Sequence, residues 1–290
     1  MREETKGILF ILMSSFFFAV MAASVKAVPH IPLAEKIFFR NLLGVFIMGG
    51  IIIKNKKSFK SANTKLLALR CIFGILGVVG YFYSISKLSL SDAVLLNKMS
   101  PFFVILLSLI FLKEKIHRLQ AYAMLIAILG AGFIIKPQFN YSMIPALIGL
   151  FSAVFAAAAY TVIRQLRLYD SPELIVFYFC LFSCIAMLPF IVSGHFIIPT
   201  SKDLIILLLI GLSATSAQIL MTTGYRFAPA SQLAIYGYAN IIFSTIFGII
   251  LWSEFPDLLS ITGGLLIILG GFINYISNNN EYFKDKTETN

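Results

Sequence analysis

Apolar residues run in blocks of about 20 along nearly the whole chain, separated by short polar or charged interruptions. A block of about 20 residues, rising 1.5 Å each, crosses the roughly 30 Å hydrocarbon core of a bilayer as one helix. The period-two alternation that a membrane barrel needs is absent. The blocks predict ten helices, at residues 7–27, 33–53, 66–86, 91–112, 118–136, 143–164, 172–193, 203–224, 229–252 and 257–276. The thinnest separator is SKLSLSD, between the third and fourth. Joining those two would make a helix of about 45 residues, too long for a single crossing.

Composition agrees: of 290 residues 59% are hydrophobic and only 12% charged, about half the charged share of a soluble domain. The expected fold class is therefore an all-α polytopic membrane protein. The net charge of +10 would suit nucleic acid, but its placement argues against that partner. Lys54, Lys56, Lys57, Lys60 and Lys65 fall between the second and third spans, Lys113, Lys115 and Arg118 between the fourth and fifth, and Arg164 and Arg167 between the sixth and seventh. Together with Arg2, Lys6, Arg226, Lys284 and Lys286 they put about 15 basic residues on one side, against about 5 (Lys26, Lys36, Lys87, Lys136, Lys202) on the other. By the positive-inside rule both termini are expected in the cytoplasm, with the chain in the cell membrane. The neutral flank of the first span and the spans that follow it argue for a retained helix over a cleaved leader. Cys71, Cys180 and Cys184 fall inside spans and read as small apolar residues; no metal ligand set and no cofactor is expected.

The chain also repeats itself. LSLSDAVLLNKMSPFFVILLSLIFLKE, ending at Glu114, aligns without gaps on APASQLAIYGYANIIFSTIFGIILWSE, ending at Glu254, at an offset of 140 residues. Each Glu is followed sixteen residues later by a glycine, Gly130 and Gly270. SSFFFAVMAASVK, Ser14 to Lys26, aligns on SAVFAAAAYTVIR, Ser152 to Arg164, at an offset of 138. Residues 1–140 and 141–277 thus read as two five-helix units, with 278–290 as a cytoplasmic tail. Five is odd, so the second unit must enter the membrane from the opposite face: an inverted repeat, with a site expected at the interface between repeats.

Residues 5–276 resemble the ten-helix permeases of the drug/metabolite transporter superfamily, the EamA-like group. The carriers of the resemblance are the small-plus-aromatic first span ending in Lys26, the EKIFFRN stretch of the second, YFYSISKLSLSDAVLLNKMSPFFVILLSLIFLKEK, and the weaker copy GYRFAPASQLAIYGYANIIFSTIFGIILWSEFPD. Members move amino acids, purines, vitamins, metallophores, choline or S-adenosylmethionine. The resemblance implies a central cavity walled mainly by the first, third, fourth, sixth, eighth and ninth spans. One departure is Ile241, opposite Pro101, where members often carry proline; it would confine the helix break to the first half.

Polar residues inside the spans are the candidate site. Pro101 cannot donate to the carbonyl of Asn97, so a free acceptor lies beside Lys98. Lys98 and Arg40 each lie about 10 Å from the outer end of their helix, and either could meet an acidic group on a solute. Arg40 could instead reach the interface or Glu35, and Arg70 reads as an interface anchor. Tyr238 stands opposite Lys98 by the repeat offset. Gln232, Tyr236, Asn240 and Ser244 form an i, i+4 stripe, Tyr160 shares a stripe with Ser152, Tyr81 pairs with Ser84, and Gln218 is an amide deep in the eighth span. Glu114 and Glu254 close equivalent helices and read as helix-end or gate residues. No acid lies deep in a span.

The expected function is a secondary transporter that moves a small organic metabolite bearing an acidic group by alternating access. Its partners are that small-molecule substrate and the lipid bilayer. No phosphate-binding loop is present to couple ATP, and the oligomeric state is left open between monomer and dimer. The rivals are a membrane-embedded enzyme and a lipid flippase. The enzyme would need convergent acids and bases, yet His30, His117 and His195 fall in expected loops.

Overall fold

A computed structural model describes residues 3–112, 117–136, 143–227 and 233–288. The helices are α1 (Glu3–Ala27), α2 (Leu33–Lys54), α3 (Thr64–Lys87), α4 (Leu90–Asn97), α5 (Ser100–Leu112), α6 (Arg118–Ile135), α7 (Ile144–Leu166), α8 (Pro172–Phe190), α9 (Ser201–Phe227), α10 (Ala239–Trp252) and α11 (Leu258–Glu288). No strand occurs among the described residues. Ten stretches are long and apolar enough to cross a membrane, with α4 and α5 sharing one crossing, Leu90–Phe111. The expected spans differ from these mostly by one to three residues. The exception is the ninth, described from Ile235; its expected start at 229 lies outside the described residues, and it opens on a 3-10 turn, Ala234–Tyr238, before α10.

The helix boundaries follow from local chemistry. The Asn63 side chain accepts from Leu66 N at 3.1 Å and starts α3, and Ser89 does the same for α4 through Asp92 N at 3.2 Å, each satisfying an amide that the first turn leaves unpaired. Pro172 stands at the start of α8, where a missing N–H costs nothing. Pro189 near its end is followed by a π turn, Ile191–His195. α6 and α10 stop at left-handed residues, Lys136 (φ 51°) and Ser253 (φ 54°).

The crossing shared by α4 and α5 is broken at Lys98 and Met99. Met99 N donates to Leu96 O at 3.1 Å and Phe102 N to Met99 O at 3.0 Å, three-residue links in place of four. This break at 98–99 and the 3-10 turn at 234–238 fall at matching places under the 140-residue offset. The break is not confined to the first half, as Ile241 had suggested. Its second copy forms without proline.

Each helix has a preferred partner: α1 packs on α9, α3 on α7, α2 on α8, and α6 on α11, while α10 lies on α1 and α4. Small residues allow the closest of these approaches. A Cβ on Gly77 would meet Ala156 N at 3.2 Å, and one on Gly130 would meet the Gly263 carbonyl at 2.6 Å. Such backbone proximity is how helices associate where burial from water does not drive them. The segment from residue 278 continues α11 as helix through Glu288.

Two rims result. The terminal rim carries the ends of the bundle near Glu3 and Ser277 and the 55–63 and 167–171 connections. The far rim carries the 28–32, 88–89, 196–200 and 253–257 connections.

Candidate functional site

The far rim is tied by side chains. Lys26 Nζ pairs with Glu254 Oε1 and donates to Leu88 O at 2.7 Å, and it lies 5.7 Å from the centre of the Trp252 ring. The other Glu254 oxygen accepts from Leu90 N at 2.9 Å, at the start of α4. This one acid therefore joins the ends of α1, α3, α4 and α10. Glu35 accepts from Ile197 N at 2.8 Å, and His30 lies 3.1 Å from Asp203. Lys136 Nζ is 2.6 Å from Asp257, whose other oxygen accepts from Ser260 N at 2.8 Å. The lysine bond and then the amide bond hold the Asp257 carboxyl down to about 2. The terminal rim has its own ties: Lys57 to Glu173 at 3.0 Å, and Asp170 to Ser61 and to Ala62 N. Every carboxylate with a described side chain lies at a rim.

The interior holds the opposite charge. Arg70 lies six residues into α3, about 9 Å in from the terminal rim, and Arg40 seven residues into α2, about 10 Å in from the far rim. Their side chains converge on Phe179 of α8. The Arg70 Cζ is 4.2 Å from the ring centre and the Arg40 Cζ 5.8 Å, within the range in which a ring quadrupole attracts a cation. Arg70 is 7% exposed, and its Nε and Nη1 are buried with no hydrogen-bond partner; the same holds for Arg40 Nε. The bond from Arg40 Nη1 to Asn41 Oδ1, at 2.7 Å, is the one side-chain hydrogen bond either guanidinium makes among the described residues. Arg40 does not meet Glu35, which is engaged by Ile197, and Arg70 is not an interface anchor.

Gly74, one turn after Arg70, makes the arrangement possible. A Cβ there would come within 2.7 Å of Phe179 Cε2 and would collide with the Arg70 guanidinium. Gly44 likewise lets α2 approach Cys180, whose Sγ would lie 2.6 Å from an added Cβ. Cys71 and Cys180 border the pair as buried thiols among apolar neighbours.

Tyr160 of α7 faces the same space. It lies six residues from the end of α7 and is 49% exposed, yet it is within electrostatic reach of Arg40, Arg70, Tyr81 and Tyr225. Those neighbours stand on α2, α3 and α9. Tyr225 is 40% exposed and lies toward the terminal rim. Arg40, Tyr81 and Tyr160, expected from the sequence, are thus brought together; Arg70, Phe179 and Tyr225 join them and were not expected.

The remaining candidates lie elsewhere. Lys98 caps α4 at the helix break, half-buried and without an ion pair among the described residues, next to half-buried Asn97. It is not among the groups acting on either guanidinium. Tyr238 presses its ring tip against Gly271 of α11, away from the pair. The Asn240 amide donates to Ser15 O at 2.9 Å and joins α10 to α1. Tyr236 packs with Ile8, Ile11, Met221 and Leu233. Gln218 is half-buried on α9, its backbone carbonyl accepting from the Thr222 hydroxyl at 2.8 Å. Glu114 and Gln232 lie outside the described residues.

The comparisons with known proteins agree with this architecture. A model of the EamA-like transporter family matches residues 5–136 and, separately, 143–276. The pseudopaline exporter CntI of Pseudomonas aeruginosa (strain UCBPP-PA14) is 38% identical over 266 residues, which cover 91% of this chain and 93% of that protein. An uncharacterized transporter of Helicobacter pylori (strain ATCC 700392 / 26695) is 31% identical over 280 residues, covering 92% and 93%. Human solute carrier family 35 member G1 is 26% identical, covering 90% and 76%. A solved crystal structure superposes with a TM-score of 0.64 at 17% identity, over 94% of this chain and 96% of its own, a likeness of fold.

Proposed function

Because this chain belongs to the EamA-like transporter family, and is a multi-pass membrane transporter and not an enzyme, we propose that it moves a small organic metabolite bearing an acidic group. Arg40 and Arg70 are the proposed binding groups, and Tyr160, Tyr81 and Tyr225 supply hydroxyls around them. One observation carries this reading: two guanidiniums converge on Phe179 inside a membrane bundle, with no carboxylate among the described residues to meet them. An intramembrane cation costs roughly 2.5 to 3.5 kcal/mol on insertion scales, and such residues mark solute pathways. Cation–π contact with Phe179 offsets only part of this, about 0.5 to 2 kcal/mol each. An anionic solute would offset the rest while docking, as planar guanidiniums favour carboxylates.

The mechanism we propose is alternating access between two inverted repeats, residues 1–140 and 141–277. The pairing of helices supports it, since exchanging the first five spans for the last five turns the α1–α9 contact into α7–α3 and leaves α2–α8 and α6–α11 unchanged. The site then lies where the repeats meet. With the far rim tied by Glu254 and Lys26, the conformation is the one closed on that side, and Glu254 is a gate residue. Lys98 and Asn97, at the break between α4 and α5, are the moving part of the wall. Basic loops near the terminal rim support a cytoplasmic location for both ends. The word exporter in the name of the Pseudomonas relative favours outward net movement.

Purified protein in proteoliposomes tests the reading. Saturable flux of an acidic metabolite is expected for the native chain and is lost in Arg70→Gln, while its neutral amide analogue is carried poorly by both. Arg70→Gln carrying the acid at native rates overturns the assignment of the arginine pair.

A further inference from the structure

The charge balance around Phe179 says more about the solute than that it is acidic. We infer that the transported solute presents two carboxylates, one for each guanidinium; this rests on the reading of Arg40 and Arg70 as the binding pair.

Counting begins with what surrounds the pair. The groups acting on Arg40 and Arg70 are Tyr160, Cys71, Cys180, Cys184 and the other arginine, on α2, α3, α7 and α8. None of them is a carboxylate, and the described acids are all at the rims. Among the described residues the pair is therefore two positive charges with no counter-charge. One monocarboxylate would neutralise half of this and leave the other guanidinium both buried and unpaired, the arrangement that costs most in a low-dielectric interior.

The entry directions of the arginines favour two carboxylates over one dianionic group. The arginines enter from opposite ends of the bundle, Arg70 from near the terminal rim and Arg40 from near the far rim. Each keeps its own orphaned nitrogens: Nε and Nη1 on Arg70, Nε on Arg40. Sharing one ring, the guanidinium carbons can be no farther apart than their two distances to its centre laid end to end, 4.2 and 5.8 Å. Two anchors within that bound, entering from opposite ends and each with its own unsatisfied nitrogens, suit acidic groups at the two ends of one short scaffold.

Ligand binding to the purified full-length protein tests this, by thermal shift and calorimetry. The probes are malonate, succinate, glutarate and adipate, the monomethyl ester of each, and inorganic phosphate. A ligand that binds the folded state raises the melting temperature. The expected result is an optimum chain length among the diacids, with the best diacid at least about tenfold tighter than its own monoester. In Arg40→Gln that ratio falls to about one while the monoester keeps its affinity, and Arg40→Lys recovers part of the preference. The melting curve without ligand reports whether each variant is folded. A diacid no tighter than its monoester, with both lost in Arg70→Gln, overturns the two-acid inference and leaves the acid-binding reading standing. Phosphate binding tightly where no diacid does replaces two carboxylates with one dianionic group and overturns it as well. No shift with any probe at about 50 mM overturns both.

Discussion

Lys26 at the far rim and Arg70 in the interior are both cations on helices of one bundle, and their surroundings differ in kind. Lys26 has an acid, a carbonyl and an aromatic ring within reach. Arg70 has the ring and no acid, and two of its nitrogens are buried without a partner. The rim pair closes on itself, so its free energy goes into holding helix ends together. The interior pair is open among the described residues, and under the proposed function its unmade hydrogen bonds serve the solute. Substitutions should therefore act in opposite ways on stability and transport at the two places.

The largest effect is expected at Arg70. Arg70→Gln should lower the flux of the acidic solute by about a hundredfold or more, as loss of a buried charge-assisted contact does. Its melting temperature should hold or rise, because an unpaired buried cation is removed. A fall of several degrees alongside normal flux would mean that Arg70 is structural and would erase the contrast with Lys26. At the rim the order reverses. Glu254→Gln should lower the melting temperature and change flux by about tenfold at most, since breaking a partly buried pair strands the other charge. Exchanging the two, Lys26→Glu with Glu254→Lys, should recover part of the loss; failure to do so would leave the Leu90 N–H contact as the important one.

Smaller effects sharpen the boundary between the two regions. Tyr160→Phe removes one hydroxyl from the proposed site and should weaken apparent solute affinity by about fivefold, near 1 kcal/mol, with no change in melting. Asp257→Asn should move flux by less than about twofold, as exposed ion pairs contribute little. The Asp257 carboxyl is held down to about 2 against an ordinary 3.8. Whatever stability it contributes is thus complete above the ordinary value and is lost as pH falls toward the depressed one. Between pH 5 and 8 the Lys136–Asp257 tie should be silent, and a pH-rate profile of the Asn variant parallel to the native one would verify that.

Ten crossings were legible because each must satisfy its own backbone, which leaves long apolar blocks in the sequence. The site was legible only in part. Arg40, Tyr81 and Tyr160 stood out as polar residues inside such blocks. Arg70 looked like a snorkelling anchor because it lies little more than a turn and a half from its helix start. What distinguishes it is Gly74, on the same face one turn on, which lets the guanidinium lie flat on the bundle. The stripe through Tyr236, Asn240 and Ser244 misled for a different reason. Tyr236 and Asn240 do share a side across the 3-10 turn, but that side packs on α1: Tyr236 lies with Ile8 and Ile11, and the Asn240 amide donates to Ser15 O. Tyr238 turns instead to Gly271.

The glycine seam between α6 and α11 has a mechanical consequence. One helix comes from the first part of the chain and the other from the last, and their backbones touch at Gly130 and Gly263 with no room for a side chain between them. The two halves of the polypeptide are thereby bound along one edge like the covers of a book at its spine. In the mechanism proposed above, a swing of one half against the other would pivot about that line, its travel growing with distance from the hinge.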